Sequence, residues 1–344
     1  MGLYLDSGFI NQEWIQQVAD KNNISFIVEI GGRQVGKTYG TLDLLTRSQE
    51  PFILMRRTST EMEFICNDIN NPFTVFKDRD IIVEKADKYT GKISKLNEDG
   101  EHYDFIGSVM ALSTIAKIRG FNGSIYKNVV FDEFIPENHV VKIKNEADAF
   151  VNAYITISGN RELNGDPPLR FWLLANSNNL ISPILSALKI QDKIEEMTKA
   201  DQEISILPER GVMIVLPHSE AILNKRKDTA IFKAIDSSSK IAQMAFNNDF
   251  AYNDSSGVGI INLKEFKPIF EVSDRFTFYA HKSNGKYFVG SFNGASSKVF
   301  INTDRERQLV LKNYPNLRRT YVNGNIIFQN VVVKENFINF LYDA

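Results

Sequence analysis

One stretch of the sequence has the residue types and spacing of a loop that binds nucleotide phosphates. It consists of Gly31, Gly32, Arg33, Gln34, Val35, Gly36, Lys37 and Thr38. Glycines let backbone N–H groups turn inward around a β-phosphate, while Lys37 is expected to reach the β- and γ-phosphates and Thr38 to offer its hydroxyl to Mg²⁺. The pattern therefore predicts a site for a nucleoside triphosphate, with Mg²⁺ arriving as its cofactor.

Two adjacent carboxylates, Asp132 and Glu133, end a hydrophobic run that lies further along the chain. An aspartate at the end of a buried strand is expected to hold Mg²⁺, and the glutamate after it to orient and deprotonate the attacking water. Asn176 ends another hydrophobic run, where it is a candidate sensor of the γ-phosphate or simply a cap of its turn. Together with the loop, these residues predict hydrolysis of the triphosphate rather than binding alone.

The elements that must position these residues alternate between strand and helix. Apolar runs at 24–30, 51–57, 128–131 and 169–175 predict buried strands, and amphipathic spacing at 39–47 and 146–157 predicts helices. This alternation indicates an α/β fold. Arg56 and Arg57 end one strand near the expected nucleotide face, where they either contact phosphates or DNA or form salt bridges.

Composition excludes several classes of protein. The chain has 344 residues, of which 43% are hydrophobic and 24% charged, which suggests about two globular domains. Cys66 is the single cysteine and the four histidines are scattered, so neither a disulfide framework nor a Cys/His zinc site is predicted. No apolar run approaches the ~18 residues of a membrane span, so we expect no membrane partner and a location in the cytoplasm.

The two parts of the chain differ in charge. Residues 1–205 have a net charge of −7 and residues 206–344 a net charge of +5, which favours a polyanionic partner for the second part. The stretch 204–239 is interrupted by prolines and a glycine and contains the basic triplet Lys225-Arg226-Lys227, which either faces nucleic acid or is solvated. We predict an NTPase domain over 1–203, a small linker subdomain over 204–239 and an α+β domain over 240–344. Short alternating runs over 81–113 predict a β-meander, and Ser283-Asn284-Gly285 and Asn323-Gly324 predict two β-hairpins.

The motifs Gly-Arg-Gln-Val-Gly-Lys-Thr, Val-Val-Phe-Asp-Glu-Phe and Leu-Leu-Ala-Asn-Ser, in this order and spacing, resemble the DNA-packaging ATPases of phi29-like phages. They resemble more distantly the ATPase domains of terminase large subunits. The resemblance covers about the first 200 residues with specific motifs and continues weakly to the C-terminus. It implies a P-loop fold of the additional-strand, catalytic-glutamate (ASCE) type that uses ATP and Mg²⁺, followed by an RNase H-like domain.

The resemblance also implies partners and a place of action. These are a homo-oligomeric ring, a pentamer by the resemblance, on the portal of the viral procapsid in the host cytoplasm, double-stranded DNA as the cargo and, in the best-known members, a packaging RNA. Lys37 and Thr38 become ligands of phosphate and Mg²⁺, Asp132 the Mg²⁺ aspartate and Glu133 the base. Arg33 matches an arginine that terminases carry in this loop.

A second arginine of the family pattern is matched by Arg161. It follows the helix that comes after Glu133, where the family presents an arginine finger to a neighbouring subunit, and we expect it on a surface loop. The family has Arg-Asn-Arg-Glu at this point, but here Gly159 replaces the first arginine. Arg33 and Arg119 are the alternatives, and Lys117, Arg119 and Lys127 are either pore-facing or solvated.

Two further expectations concern activity. Hydrolysis of a phosphodiester by two metals requires convergent carboxylates that typically begin on the first strand of an RNase H-like domain, and Tyr287–Asn293 offers none. We therefore predict a vestigial nuclease without activity. Besides a ring ATPase that moves DNA, the phosphate loop is compatible with a helicase or conjugative pump, and a nucleotide-regulated scaffold is a third class that Glu133 argues against.

Overall fold

The computed structural model describes residues 2–48, 50–67, 69–118, 120–136, 140, 143–177, 180, 182–234 and 256–342. Its chain divides into two compact units, Met1–Tyr252 and Asn253–Ala344. Each unit has its own sheet and its own hydrophobic core.

The first unit is built around a sheet of nine strands. They are β1 (Phe26–Gly31), β2 (Phe52–Arg56), β3 (Ile81–Lys85), β4 (Thr90–Leu96), β5 (Tyr103–Ala111), β6 (Asn128–Asp132), β7 (Arg170–Asn176), β8 (Ile204–Leu207) and β9 (Val212–Val215). The order across the sheet is β3-β4-β5-β2-β6-β7-β1-β9-β8. The six strands from β5 to β9 in this order run parallel, whereas β3, β4 and β8 are antiparallel additions at the edges.

Eight helices of the described part of this unit connect the strands. They are α1 (Gln12–Lys21), α2 (Lys37–Arg47), α3 (Ser59–Ile65), α4 (Glu146–Ser158), α5 (Pro183–Ala187), α6 (Gln191–Lys199), α7 (Glu220–Lys227) and α8 (Ala230–Ala234). The sequence predicts Thr58 or Ser59 as the cap of helix α3, and the structure has Thr58, which forms a capping box in which Thr58 and Glu61 satisfy each other's backbone N–H groups. The predicted helices and strands around the phosphate loop and the two carboxylates are thus confirmed.

The central strands form because their sequences are apolar on both faces. All five residues of β6 are buried, as are the last five of β1, which suits parallel strands covered by helices on each side. The core joins these strands to α1 and α2 through Ile15, Leu42 and Leu45. Because β1, β7 and β6 are adjacent and parallel, their carboxyl ends meet at one edge of the sheet.

One prediction about this unit is confirmed and one was wrong. The β-meander predicted over 81–113 is present as the antiparallel strands β3, β4 and β5, and β5 also pairs with β2 in parallel, so it joins the central sheet. The linker subdomain was expected to begin at residue 204, but β9 pairs with β1 in parallel and all four of its residues are buried. Pro208 and Gly211 had suggested a linker, yet they form the turn of the β8–β9 hairpin, and the unit continues to Tyr252.

The second unit contains a five-stranded sheet and three described helices. The strands are β10 (Phe266–Val272), β11 (Phe276–His281), β12 (Tyr287–Gly290), β13 (Val299–Phe300) and β14 (Ile326–Phe328), in the order β13-β10-β11-β12-β14. The helices are α9 (Asp304–Asn313), α10 (Leu317–Val322) and α11 (Val331–Tyr342). Its core is rich in aromatic rings, among them Phe270, Phe278 and Phe337.

The hairpin predictions for this unit had mixed outcomes. Ser283-Asn284-Gly285 joins the antiparallel strands β11 and β12, as predicted. Asn323-Gly324 does not join two strands: α10 ends before it, and Gly324 adopts a φ of +69°, which favours glycine after a helix. The apolar residues before Asn323 belong to one helical turn, so their short alternating pattern was misread as a strand.

No helix within the described ranges is both long enough and apolar enough to cross a membrane.

Candidate active site

The phosphate loop connects β1 to α2 and is held in place by its neighbours. Gly36 precedes the first residue of α2 with a φ of +94°, a conformation that glycine adopts without strain. A Cβ atom at Gly31 would stand 2.8 Å from the Pro217 ring, so only glycine fits there. The Ile10 N–H donates to the Val35 carbonyl at 3.0 Å and ties the N-terminal segment to the loop.

Lys37 lies inside the loop. Its Nζ atom donates to the backbone carbonyls of Gly31 at 3.0 Å and of Gly32 at 2.8 Å, and the side chain is buried. An ammonium group in this position lies at the centre of the loop, where it can exchange two carbonyl oxygens for phosphate oxygens.

Burial lowers the pKa of Lys37 to about 8, and the positive charges of Arg226 and Arg33 add to this effect. The negative charges of Glu29 and Asp132 act in the opposite direction. The side chain of Lys37 therefore lies in a group of charges drawn from several different elements.

Thr38 and Asp132 meet directly. The Thr38 hydroxyl donates to Oδ1 of Asp132 at 2.8 Å, although the two residues lie on different elements. Hydroxyl and carboxylate oxygens are the hard donors that Mg²⁺ prefers. These two oxygen donors meet beside Lys37, which fits a Mg²⁺ ion that accompanies a nucleoside triphosphate.

Glu133 follows Asp132 in an unusual conformation. Its φ is +57°, a left-handed backbone that costs a non-glycine residue on the order of 1 kcal/mol. This bend ends β6 and leaves the Glu133 side chain exposed, whereas the Asp132 side chain is buried. Such strain at the end of a catalytic strand is typical of functional residues.

Arg56 joins the two carboxylates. Its Nη2 atom lies 3.0 Å from Oδ2 of Asp132 and its Nη1 atom 3.1 Å from Oε2 of Glu133. The neighbouring Arg57 is fully buried and pairs with Glu146, the first residue of α4, at 2.8 Å. Of the two alternatives for these arginines, the salt bridges are confirmed.

Glu29 is a component of the site that its sequence did not reveal. It lies on β1 with 0% of its surface exposed, and Oε2 accepts a hydrogen bond from Nε2 of Gln12 at 2.9 Å. Burial raises the pKa of Glu29 to about 7, while Gln12 and the charge of Lys37 act in the opposite direction. The one signal in the sequence that could have indicated Glu29 is its position as a charged residue within an apolar run.

Asn176 lies at the same edge of the sheet. It is the last residue of β7 and stands opposite Gly31, the last residue of β1, in the parallel pairing. The structure thus brings Asn176 together with the phosphate loop and the two carboxylates. Its role as a sensor of the γ-phosphate stays a prediction.

Of the three arginines that were candidates for a finger, Arg33 and Arg161 are among the described residues. Arg33 is exposed on the phosphate loop. Arg161 is not on an exposed surface, as the sequence suggested: only 8% of it is exposed, and its Nη2 atom donates to the carbonyls of Gly123, Ser124 and Tyr126. These carbonyls precede β6, at the end of the strand opposite Asp132. Arg161 therefore fastens a loop of its own chain, and its action on a neighbouring subunit stays a prediction.

Three other basic candidates have different outcomes. Lys117 lies in the short 3-10 helix Leu112–Lys117 that follows β5, and Lys127 forms a short ion pair with Glu50. Arg119 lies outside the described residues. The expectation that any of them faces a pore stays a prediction.

The structural role of Arg161 can be measured directly. Arg161→Ala should destabilise the protein by about 2 kcal/mol or more, because three backbone carbonyls, two of them in buried residues, lose their donor. Arg210→Ala is the matched control, since Arg210 also donates to backbone carbonyls but is exposed. Chemical denaturation of both variants gives the comparison.

An unchanged stability of Arg161→Ala would leave the finger role open. In that case Arg161→Ala and Lys37→Ala, each inactive alone, should recover hydrolysis when mixed under ring-forming conditions, because one supplies the finger and the other the intact site.

Comparisons with known proteins agree with this architecture. In one solved structure, described as the bacteriophage Phi-29 viral genome packaging motor assembly, a chain is 19% identical, with a TM-score of 0.63 over 99% of both chains. In another, the Phi-28 gp11 DNA packaging motor, the identity is 16% and the TM-score 0.60 over 97% of this chain and 98% of that one. At these identities the likeness shows a shared fold.

The family comparison goes further. No curated protein sequence matches the chain. The family model for the podovirus DNA encapsidation protein (Gp16), however, matches residues 7–335, which include most of each unit and every candidate residue of the site. The chain belongs to the podovirus DNA encapsidation protein (Gp16) family.

Proposed function

We propose that this protein is an ATP-hydrolysing ring motor that moves double-stranded viral DNA into a procapsid. The proposal rests on one observation. The Thr38 hydroxyl donates a hydrogen bond to the Asp132 carboxylate beside the buried Lys37, and Glu133 follows Asp132 in the chain. This set supplies a cation for the phosphates, two oxygens for Mg²⁺ and a carboxylate for water. The family and its role in DNA encapsidation give the hydrolysis its purpose.

The chemistry follows from the residues at the sheet edge. Lys37 leaves its two carbonyl acceptors and binds the β- and γ-phosphates, while backbone N–H groups of the loop and the start of α2 surround the phosphate chain. Thr38 and Asp132 would hold Mg²⁺, which when bound neutralises phosphate charge. Glu133 accepts a proton from the water that attacks the γ-phosphate.

The ion pair between Arg56 and Glu133 affects the transfer of a proton from water to Glu133. The ion pair with Arg56 occupies Oε2 of Glu133, an oxygen that would otherwise be available to water. Glu133 must therefore turn away from Nη1 of Arg56, 3.1 Å away, before it takes a proton from water. The exposure of the Glu133 side chain leaves it room to do so.

We infer that the first unit is a P-loop domain of the ASCE type. Support comes from the strand order, in which β7 lies between β1, which leads into the phosphate loop, and β6, which carries Asp132. A carboxylate follows that aspartate, as this type requires. Asn176 on the inserted strand and Arg33 in the loop complete the proposed set of residues that face the γ-phosphate.

The second unit is proposed to bind nucleic acid as a vestigial RNase H-like domain. The first strand of its described residues is β10, which precedes the stretch 287–293 considered in the sequence, and β10 does carry a carboxylate, Glu271. That side chain is fully buried and accepts hydrogen bonds from Thr277 and Ala295. A carboxylate enclosed in this way is a structural group, which supports the proposal that the domain has no nuclease activity.

The proposed partners are those of a packaging motor. They are further copies of this chain in a ring, proposed as a pentamer, the portal of the procapsid, double-stranded DNA and a packaging RNA, all in the host cytoplasm. We propose that the first unit, which ends at residue 252, is the ATPase part and that the second unit is the nucleic-acid-binding part.

A DNA-dependent ATPase assay tests the proposal against its main alternative, a helicase. With portal-bearing procapsids present, blunt double-stranded DNA should raise phosphate release several-fold, and no strands of a forked duplex should separate. Strand separation with little response to blunt duplex would favour the helicase, and an absence of hydrolysis in both cases would favour a scaffold.

A further inference from the structure

The basic triplet of α7 does not form a single charged surface. Lys225 donates to the Ser7 carbonyl and Lys227 to Oδ1 of Asn224, and both lysines are exposed. Arg226 is 5% exposed, so its guanidinium is turned away from solvent. The triplet is thus neither a solvated helix face nor a uniform surface for DNA, and Arg226 requires a separate explanation.

Helix α7 is fastened to the N-terminal segment. Ser219 caps the helix by accepting from the Ile222 N–H, and its own hydroxyl donates to the Gly8 carbonyl at 2.7 Å. Ile222 and Arg226 are four residues apart and therefore share one face of the helix, which is its buried face. The atom nearest to a Cβ atom placed at Gly8 would be Cβ of Ala221, at 2.7 Å, and Lys225, one turn further along, donates to the Ser7 carbonyl. The face with Ala221 and Lys225 therefore contacts the N-terminal segment, and the adjacent face with Ile222 and Arg226 is turned toward the interior of the unit.

The same segments touch both ends of the phosphate loop. Phe9, next to Gly8, packs against Gly36, where a Cβ atom would lie 3.3 Å from the ring. Pro217, which precedes α7, packs against Gly31 at the other end of the loop. Helix α7 therefore lies beside the phosphate loop, and Arg226 is on its inner side.

The charges around the loop point to the ligand. As described above, the charge of Arg226 reaches Lys37 and acts against its protonation, as does that of Arg33. Glu29 and Asp132 offset this repulsion in part, and the phosphates of a bound nucleotide would place further negative charge near both cations. A guanidinium offers planar, paired donors that match phosphate oxygens. The arrangement suits a phosphate chain held by both side chains.

We propose that Arg226 binds the phosphates of the nucleotide held by the phosphate loop of its own chain, as a ligand additional to Lys37. This inference rests on the proposed nucleotide site. It assigns the one buried member of the basic triplet to the nucleotide and not to DNA. The nucleotide would thereby link α7 to the loop.

The test is equilibrium binding of a fluorescent ATP analogue with Mg²⁺ to the full chain. Arg226→Met keeps the length and packing of the side chain but removes its charge, and Arg226→Lys keeps the charge. Lys227→Met is the matched control, because it removes one charge from the same helix at an exposed position. Arg226→Met should weaken binding about tenfold or more, Arg226→Lys should recover at least half of the loss on a logarithmic scale, and Lys227→Met should stay within about twofold of wild type.

Two results would overturn the inference. One is wild-type affinity in Arg226→Met, and the other is an Arg226→Lys variant that binds no better than Arg226→Met, which would assign Arg226 to packing alone. If Arg226→Met does not fold, Arg226→Gln, which also removes the charge but keeps a polar side chain, carries the test: binding equal to wild type would refute the inference, and binding about tenfold weaker would support it.

Failure of the proposed function looks different. If wild type and Lys227→Met both fail to bind the analogue, the nucleotide site itself is refuted. If both bind it and Arg226→Met binds equally well, only the role of Arg226 is refuted.

Discussion

Glu133→Gln should bind Mg·ATP nearly as wild type does and hydrolyse it about 100- to 10,000-fold more slowly. The amide has almost the same shape as the carboxylate but cannot accept a proton from water. Lys37, Thr38 and Asp132 keep their geometry in this variant, so the nucleotide should still be held. Phosphate release and binding of a fluorescent nucleotide, measured on the same preparation, give the two numbers.

The control for this variant is Glu98→Gln, which makes the same chemical change at an exposed position between β4 and β5. It should hydrolyse ATP at the wild-type rate. Hydrolysis by Glu133→Gln within a few-fold of wild type would refute the assignment of Glu133 as the base. An equal loss of binding and hydrolysis would instead give Glu133 a structural role.

Lys37→Ala should lose nucleotide binding itself, with an affinity lower by about 100-fold or more. The ammonium group is the central cation of the loop and makes charge-assisted hydrogen bonds to phosphate that no other residue can replace in full. The backbone carbonyls of Gly31 and Gly32, which belong to the loop, would then face the phosphates without a positive charge between them. Titration with the fluorescent nucleotide measures the effect.

Lys21→Ala, which removes an exposed lysine from the end of α1, is the control and should bind normally. Thermal unfolding of Lys37→Ala without nucleotide should still be one cooperative transition, which would show that the variant has lost binding and not its fold. Retained binding in Lys37→Ala would show that the nucleotide lies elsewhere.

The sequence predicted those parts of the site that depend on local physics. The loop from Gly31 to Thr38 is recognisable because a positive φ, close backbone approach and one cation are local requirements. The strand that delivers Asp132 is recognisable because it is apolar on both faces. Helix ends such as the Thr58 cap follow from neighbouring residues in the same way.

Contacts between distant segments could not be predicted. Arg56 meets Asp132 and Glu133 because β2 and β6 are neighbours in the sheet, and nothing near Arg56 in the sequence states this. The charges of Arg226 and Glu29 act on Lys37 because helices and strands from distant parts of the sequence pack together. The misplaced linker boundary has the same origin, since only the parallel pairing with β1 shows that β9 belongs to the first unit.

Packaging itself is the measurement that tests the central claim most directly. Purified protein, procapsids with their portal and full-length double-stranded viral DNA are incubated with ATP, and the DNA that has become resistant to nuclease is quantified. The account predicts protection with ATP and Mg²⁺, none with ADP, and none when Glu133→Gln replaces the wild-type protein. Protection that is independent of ATP, or no protection while the same preparation hydrolyses ATP in the presence of DNA and procapsids, would contradict it.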